Sequence, residues 1–374
     1  MGKLRFASDV AASGSNAFRL SDPTGGPDPT RRGNRLDDLL ELGFVRGHDA
    51  SIATEHTRLD RRTIRLSAAR PAMGTLLSVV ALADARDRLD AAFGRAFMEV
   101  DRLVGIFSRY DSASALSDLN ATGHLRGPPL ELLHVLSRAR SYYDSTRGVF
   151  DATVAPLVDL FRDWFRRPTP LAPSEADVRD ASARVGAVNV LLSRREVRFG
   201  LPGMAVTLDG IAKGYIVDRI AQTLEAARVR NYLIDAGGDI RAAGRKEGGR
   251  PWTVAVRDPF GNEACPDALH LHGRAVATSG GYENCYDRNQ LLHHIIDVET
   301  GRSPTRCASV SVVAPTTMAA DALATCVFIM GPEDGADFVD ALAGCACLVI
   351  DTNGRTLRSW RWKSVSPCNH HLME

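Results

Sequence analysis

The sequence predicts a mixed α/β fold of the α+β type, antiparallel strands backed by helices, and three observations predict it. A β-branched run over residues 308–313 reads as a buried strand, and Pro315 with Thr316 then punctuates the entry to a helix over 317–330. Residues 84–107 place Leu89, Phe93, Phe97, Val100, Leu103 and Val104 at the spacing of one helical face. Residues 188–192 and 196–199 suit a hairpin pair.

The remaining elements follow in order. Residues 1–62, rich in Ser, Gly, Pro, Asp and Arg with only a weak helical run over 36–45, read as a mobile extension. Strands are expected over 63–66 and 75–82, the second entered through Met73-Gly74-Thr75, where a glycine suits a turn or a close approach. After the long helix, Ser112 or Ser114 caps a short helix ending near Asn120. Residues 129–146 and 154–164 are two further helices, and the proline-rich piece over 167–173 connects to a short helix over 174–185. A strand over 204–208 runs into Asp209-Gly210 and a helix over 211–227. Strands over 232–236, 252–256, 268–271 and 274–278 come next. Beyond the 317–330 helix, Gly331-Pro332 is a stop. A short helix over 336–342 and strands over 347–350 and 356–362 complete the folded part, 63–365, before a tail over 366–374.

The 374 residues suffice for one large domain or two intimate ones. With 44% hydrophobic and 24% charged residues the composition is that of an ordinary globular protein. A net charge of +1 gives no argument for nucleic-acid or membrane attraction, and no apolar run reaches the roughly 18 residues of a membrane span. The seven cysteines form no C-x-x-C pair, so neither a zinc spacing nor a disulfide framework is read. Cys345 and Cys347 alternate on a strand and pack toward one face as small hydrophobes. The N-terminus lacks the basic-then-apolar pattern of a signal peptide. A cytoplasmic location is expected, or a periplasmic one if the true start lies elsewhere.

Few residues carry chemistry. Asp321 and Thr325, four apart on an apolar helix, share a face, so a carboxylate and a hydroxyl can grip one hard cation. The blander reading is a solvent-facing Asp321 with Thr325 bonded back to a carbonyl. Lys213, one of only four lysines, sits in the first turn of a helix that follows a strand and a Gly turn. That is an anion-binding arrangement without Walker spacing. Asp235 and Asp239 flank Gly237-Gly238 and could position water or metal, although turn-stabilising carboxylates are commoner. Asp151 is an N-cap candidate. Ser279, in Thr-Ser-Gly-Gly, lacks the G-x-S-x-G elbow of a nucleophile. His293 and His294, adjacent on an expected strand, point to opposite faces, so only one can serve a site.

The ordered set Met73-Gly-Thr75, Phe107-Ser-Arg-Tyr-Asp111, Gly148-Val-Phe-Asp151, Leu208-Asp-Gly-Ile-Ala-Lys-Gly-Tyr215, Asp235-Ala-Gly-Gly-Asp239, Val276-Ala-Thr-Ser-Gly-Gly-Tyr282, His294-Ile-Ile-Asp-Val-Glu-Thr-Gly301 and Asp321-Ala-Leu-Ala-Thr325 resembles the ApbE family of FAD:protein FMN transferases. The resemblance covers about residues 70 to 350. Ala152 and Val298 stand where the family often has proline. It implies a T-fold-like architecture with two subdomains closing over a cleft, and FAD bound by Met73, Gly74, Thr75, Tyr110, Val149, Phe150, Asp151, Lys213, Ser279 and Ile295. It also implies Mg2+ on Asp321, Thr325 and the Gly210 carbonyl.

The implied reaction moves FMN onto a Ser or Thr hydroxyl of an acceptor flavoprotein with loss of AMP. Lys213 would stabilise charge, and His294, which the family alignment selects, or Asp297 would take the proton. Water in place of the acceptor would make the protein an FAD pyrophosphatase, and a non-catalytic flavin-binding protein is the third reading. The protein is expected as a monomer or homodimer.

Overall fold

The computed structural model describes residues 5–6, 45–46, 53–165, 172–261, 265–281 and 292–366. Strands β1 (Arg5–Phe6) and β2 (Val45–Arg46) are short. Strand β3 (Ala53–Arg58) pairs with β4 (Ile64–Ala72), which turns directly into β5 (Thr75–Ala83). The expected extension over 1–62 therefore gives way to the sheet earlier, and Ala53 is fully buried. The weak helix over 36–45 falls outside the described residues except for Val45, which is in β2.

Helix α1 (Arg86–Phe107) buries the predicted apolar face, and α2 (Ala115–Thr122) is capped by the Ser114 hydroxyl, which accepts from the Ser117 amide. Strand β6 (His124–Arg126) precedes α3 (Leu130–Ser145) and α4 (Ala155–Phe165). Helix α5 (Glu175–Ser182) opens with a Ser174–Asp177 capping box. The hairpin β7 (Val190–Leu192) and β8 (Glu196–Phe199) forms as expected and gains β6 as a third strand.

Then come α6 (Ala212–Ala226), β9 (Asn231–Ala236), β10 (Asp239–Ala243), β11 (Trp252–Val256), β12 (Asp267–Leu271), β13 (Arg274–Gly280) and β14 (Cys307–Ala314). Helices α7 (Thr317–Met330) and α8 (Pro332–Asp340) and strands β15 (Ala346–Asp351) and β16 (Thr356–Arg358) close the chain.

Among the described residues one antiparallel sheet runs β16-β15-β14-β13-β10-β9-β5-β4-β3-β2, while β11 and β12 pair apart from it with β1. Period-two alternation gives the large sheet two apolar faces. Tyr232, Ile234, Val310 and Val312 pack with α1, α6 and α7, while Leu233, Val313 and Leu348 pack with Trp252, Leu269 and Trp362 on the other side. The expectation of antiparallel strands backed by helices holds. Cys345 and Cys347 lie in the same cluster on the helical face.

Four expectations change. Residues 204–208 form no strand, and the Asn120 side chain bonds both the amide and the carbonyl of Val206 (2.8 and 2.9 Å). The helix after Gly331 begins at Pro332, where a proline needs no amide partner, and ends at Asp340. Residues 293–297 form no strand; Asp297 bridges to Arg302, and His293 is a further single bridge residue. Ser366, expected in the tail, is buried against Asp267. Most of the 167–173 connection and of the 366–374 tail, and Tyr282, lie outside the described residues.

Candidate active site

Helix α7 is apolar almost all round and buried against β13, β14 and α6, so a carboxylate near its middle is carried into the core. Asp321 is 4% exposed, and its Oδ2 accepts the Gly214 amide at 3.0 Å. Asp239, the first residue of β10, is 1% exposed and accepts from Lys213 Nζ at 2.6 Å. The two carboxyls are close enough for each to act on the other's charge. Burial, then the charge of Asp239, pushes the Asp321 carboxyl well above the carboxylate range. Burial also pushes Asp239 up, against the pull of the Lys213 ammonium. Two buried carboxyls thus face one ammonium, an arrangement in which burial works against both being ionised and a second cation would favour it.

One turn along α7, Thr325 Oγ1 lies 3.1 Å from the point where a Cβ on Gly210 would stand, and the Phe150 ring lies 3.7 Å from that point. The hydroxyl makes only a long bond, 3.4 Å, to the Asp321 carbonyl. Among the described residues no three His, Cys, Asp or Glu side chains group around a metal position. The donors present, one carboxylate with a hydroxyl and a main-chain carbonyl, fit a hard cation that completes its shell with water or phosphate oxygens. Mg2+ is such an ion.

The early segments reach the same place. Met73 (φ 52°) and Gly74 (φ 69°) form the two-residue turn between β4 and β5, where both central residues need the left-handed region. Gly237 and Gly238 make the corresponding turn between β9 and β10, closed by the Gly238 amide donating to Asp235 at 2.8 Å. A Cβ on Gly237 would stand 2.2 Å from Thr75 Oγ1, so the two turns touch only because residue 237 is glycine. Tyr110 is 70% exposed, its hydroxyl donates to Asp209 at 3.3 Å, and the Arg109 guanidinium lies 5.7 Å from its ring centre. Contacts therefore run from Tyr110 through Asp209-Gly210 to Thr325, Asp321, Asp239, Gly237 and Thr75.

The Asp151 carboxylate caps the turn at Thr153 (2.7 Å) and reaches the Ala187 amide (3.1 Å), which is the capping role. Asp297 is used in its own turn, accepting from the Glu299 amide and the Thr300 hydroxyl, both at 3.0 Å. Ile295 is buried in the core, and Val149 packs beside it half-exposed. Ser279 is half-exposed on β13.

Of the two histidines, His293 is the structural one. It is buried, its Nε2 is 3.1 Å from the Pro304 carbonyl, and its ring packs edge-on against Phe328. His294 is half-buried. At the start of α6 the Gly214 amide donates to the Asp321 carboxyl. For Asp239 the sequence left open a turn role and a role in positioning water or metal, and did not point to Lys213 as its partner. An acid directly after Gly-Gly at a strand end, facing a lone lysine, was the available signal.

Three comparisons with known proteins bear on this arrangement. The model of the ApbE family matches residues 73–349. The FAD:protein FMN transferase of Klebsiella pneumoniae (strain 342) is 27% identical over 83% of this chain and 89% of its own. That of Treponema pallidum (strain Nichols) is 32% identical over 72% and 79%. Among solved structures, the flavin transferase ApbE from Vibrio cholerae superposes with a TM-score of 0.71 at 26% identity, covering 80% of this chain and 99% of that one. The Thermotoga maritima ApbE protein gives 0.72 at 29% identity, covering 80% and 98%.

Proposed function

Because this chain belongs to the ApbE family, we propose that it is an FAD:protein FMN transferase that moves FMN onto a serine or threonine hydroxyl of an acceptor flavoprotein. The observation that carries the reading is the meeting of early and late segments. Thr75 lies against Gly237, two residues before the Asp239 that pairs with Lys213, and Phe150 lies beside Gly210 and Thr325.

In this reading the acceptor hydroxyl attacks the FMN phosphorus. A new phosphorus–oxygen bond forms, the bridging bond of the pyrophosphate breaks, and AMP leaves with the bridging oxygen. Asp321, Thr325 and the Gly210 carbonyl would hold Mg2+, which supplies charge stabilisation to phosphoryl oxygens when bound. Lys213, held by Asp239 and 23% exposed, directs an ammonium at the same region. Tyr110 offers an exposed ring face suited to stacking on a flavin. His294 takes the hydroxyl proton, because the Asp297 carboxylate is committed to its turn.

The test is incubation with FAD, Mg2+ and a candidate acceptor, followed by in-gel flavin fluorescence and AMP release. Transfer yields a covalently fluorescent acceptor; free FMN would instead indicate hydrolysis, and unchanged FAD mere binding. Asp321→Ala is expected to abolish both signals. Full activity of that variant in EDTA would overturn the metal assignment.

A further inference from the structure

Asp218 takes no part in the site described above, yet it is 9% exposed on α6, four residues after Gly214. Its Oδ1 accepts the Thr317 amide at 2.9 Å and its Oδ2 the Met318 amide at 3.0 Å, so a charge from α6 satisfies the first two amides of α7. The Thr316 hydroxyl takes the Ala319 amide at 3.2 Å, and the Thr316 carbonyl takes that of Ala320. The start of α7 is thereby fully bonded. A negative group there also complements the positive end of the helix dipole. Arg241, two residues along β10 from Asp239, donates to Asp218 Oδ1 at 3.2 Å and to the Pro315 carbonyl at 3.1 Å.

The arrangement is reciprocal. On α6, Gly214 and Asp218 are four apart and share a face; on α7, Thr317 and Asp321 are four apart and share a face. Gly214 donates to Asp321 while Asp218 accepts from Thr317, so the two helices are pinned at two points one turn apart. A single pin leaves α7 free to turn about it, whereas two pins fix both its height and its rotation. Rotation of α7 is what sets where Asp321 and Thr325 point.

We propose that Asp218 is a positioning residue for the cation site, holding α7 so that Asp321 and Thr325 present their oxygens together. The proposal rests on the reading of Asp321 and Thr325 as cation ligands. The test uses Asp218→Asn in the full chain loaded with FAD, with Mn2+ binding followed by electron paramagnetic resonance and the Mg2+ dependence of AMP release measured beside it.

Dissociation of Mn2+ and half-saturation by Mg2+ are expected to rise about 10–100-fold, with kcat at saturating Mg2+ and KM for FAD close to wild type. If Asp218→Asn does not fold, Arg241→Gln, which keeps both amide bonds and removes the guanidinium that orients the carboxylate, is expected to shift both metal constants in the same direction by less. Unchanged metal constants with only a lower unfolding temperature would overturn the proposal, as would a fall in kcat alone. Asp321→Ala is run in parallel. If it keeps the wild-type metal response, the ligand assignment itself has failed; if it loses that response while Asp218→Asn keeps it, only the positioning role falls.

Discussion

Replacing Gly214 with alanine places a methyl group where α7 already stands. The new Cβ would lie 2.4 Å from the Thr317 carbonyl oxygen, 2.6 Å from its carbon and 2.7 Å from Met318 Cα, all of them backbone atoms that no side-chain rotation can move. Ordinary contact begins at 3.4 Å, so the helices must part by about 1 Å. The Gly214–Asp321 bond, now 3.0 Å, would stretch to about 4 Å and cease to be a hydrogen bond. Alanine gains about 1 kcal/mol in helix propensity. Against that stand about 1–3 kcal/mol of overpacking and about 0.5–1.5 kcal/mol for the lost hydrogen bond, a net loss of about 0.5–3.5 kcal/mol. A shift of about 1 Å at the Asp321 helix is expected to lower AMP release about 100-fold. Chemical denaturation and the release assay measure the two effects. A Gly214→Ala protein as stable and as active as wild type would refute the close crossing of α6 and α7 and its link to the site.

Breaking the Lys213–Asp239 pair from one side, as Lys213→Met, is expected to destabilise the fold by about 3 kcal/mol, because it leaves Asp239 buried beside Asp321 without its ammonium. Adding Asp239→Asn should recover part of the loss, and a double change no more stable than Lys213→Met would show that the pair is not coupled. At the far end of the chain, burial raises the Asp267 carboxyl. Bonds from Ser366, Trp362, the Ala268 amide and Arg358 outweigh that and hold it below its ordinary 3.8. Its contribution is then fully present above about pH 4 and is lost as pH falls through the lowered value. Asp267→Asn should therefore cost stability at pH 7 and approach wild type once the pH falls below that lowered value, as denaturant titrations would show. A gap that is constant with pH would contradict the assignment.

Much of the architecture was legible because it rests on short-range rules. The Thr317–Met330 helix could be bounded to the residue from Pro315, Thr316 and Gly331, and its Asp321–Thr325 pair followed from helical period alone. Ser114 and Asp151 were readable as caps because a cap bonds amides two or three residues away. Residues 204–208 were misread as a strand because their amide and carbonyl partners belong to Asn120, more than eighty residues earlier. For Asp239 the sequence could not choose between a turn acid and one that positions water or metal, since its partner Lys213 lies on α6.

The sequence by itself determined where helices and strands begin, which faces are apolar, and which residue types carry charge into apolar surroundings, because periodicity and capping act over a few residues. Only the tertiary structure decided that Thr75, Phe150, Gly210, Asp239 and Asp321 share one locality, that Asp297 serves its own turn, and that α6 and α7 pin each other. Those outcomes depend on close approach at Gly214 and Gly237, which is set by packing between segments far apart in the chain.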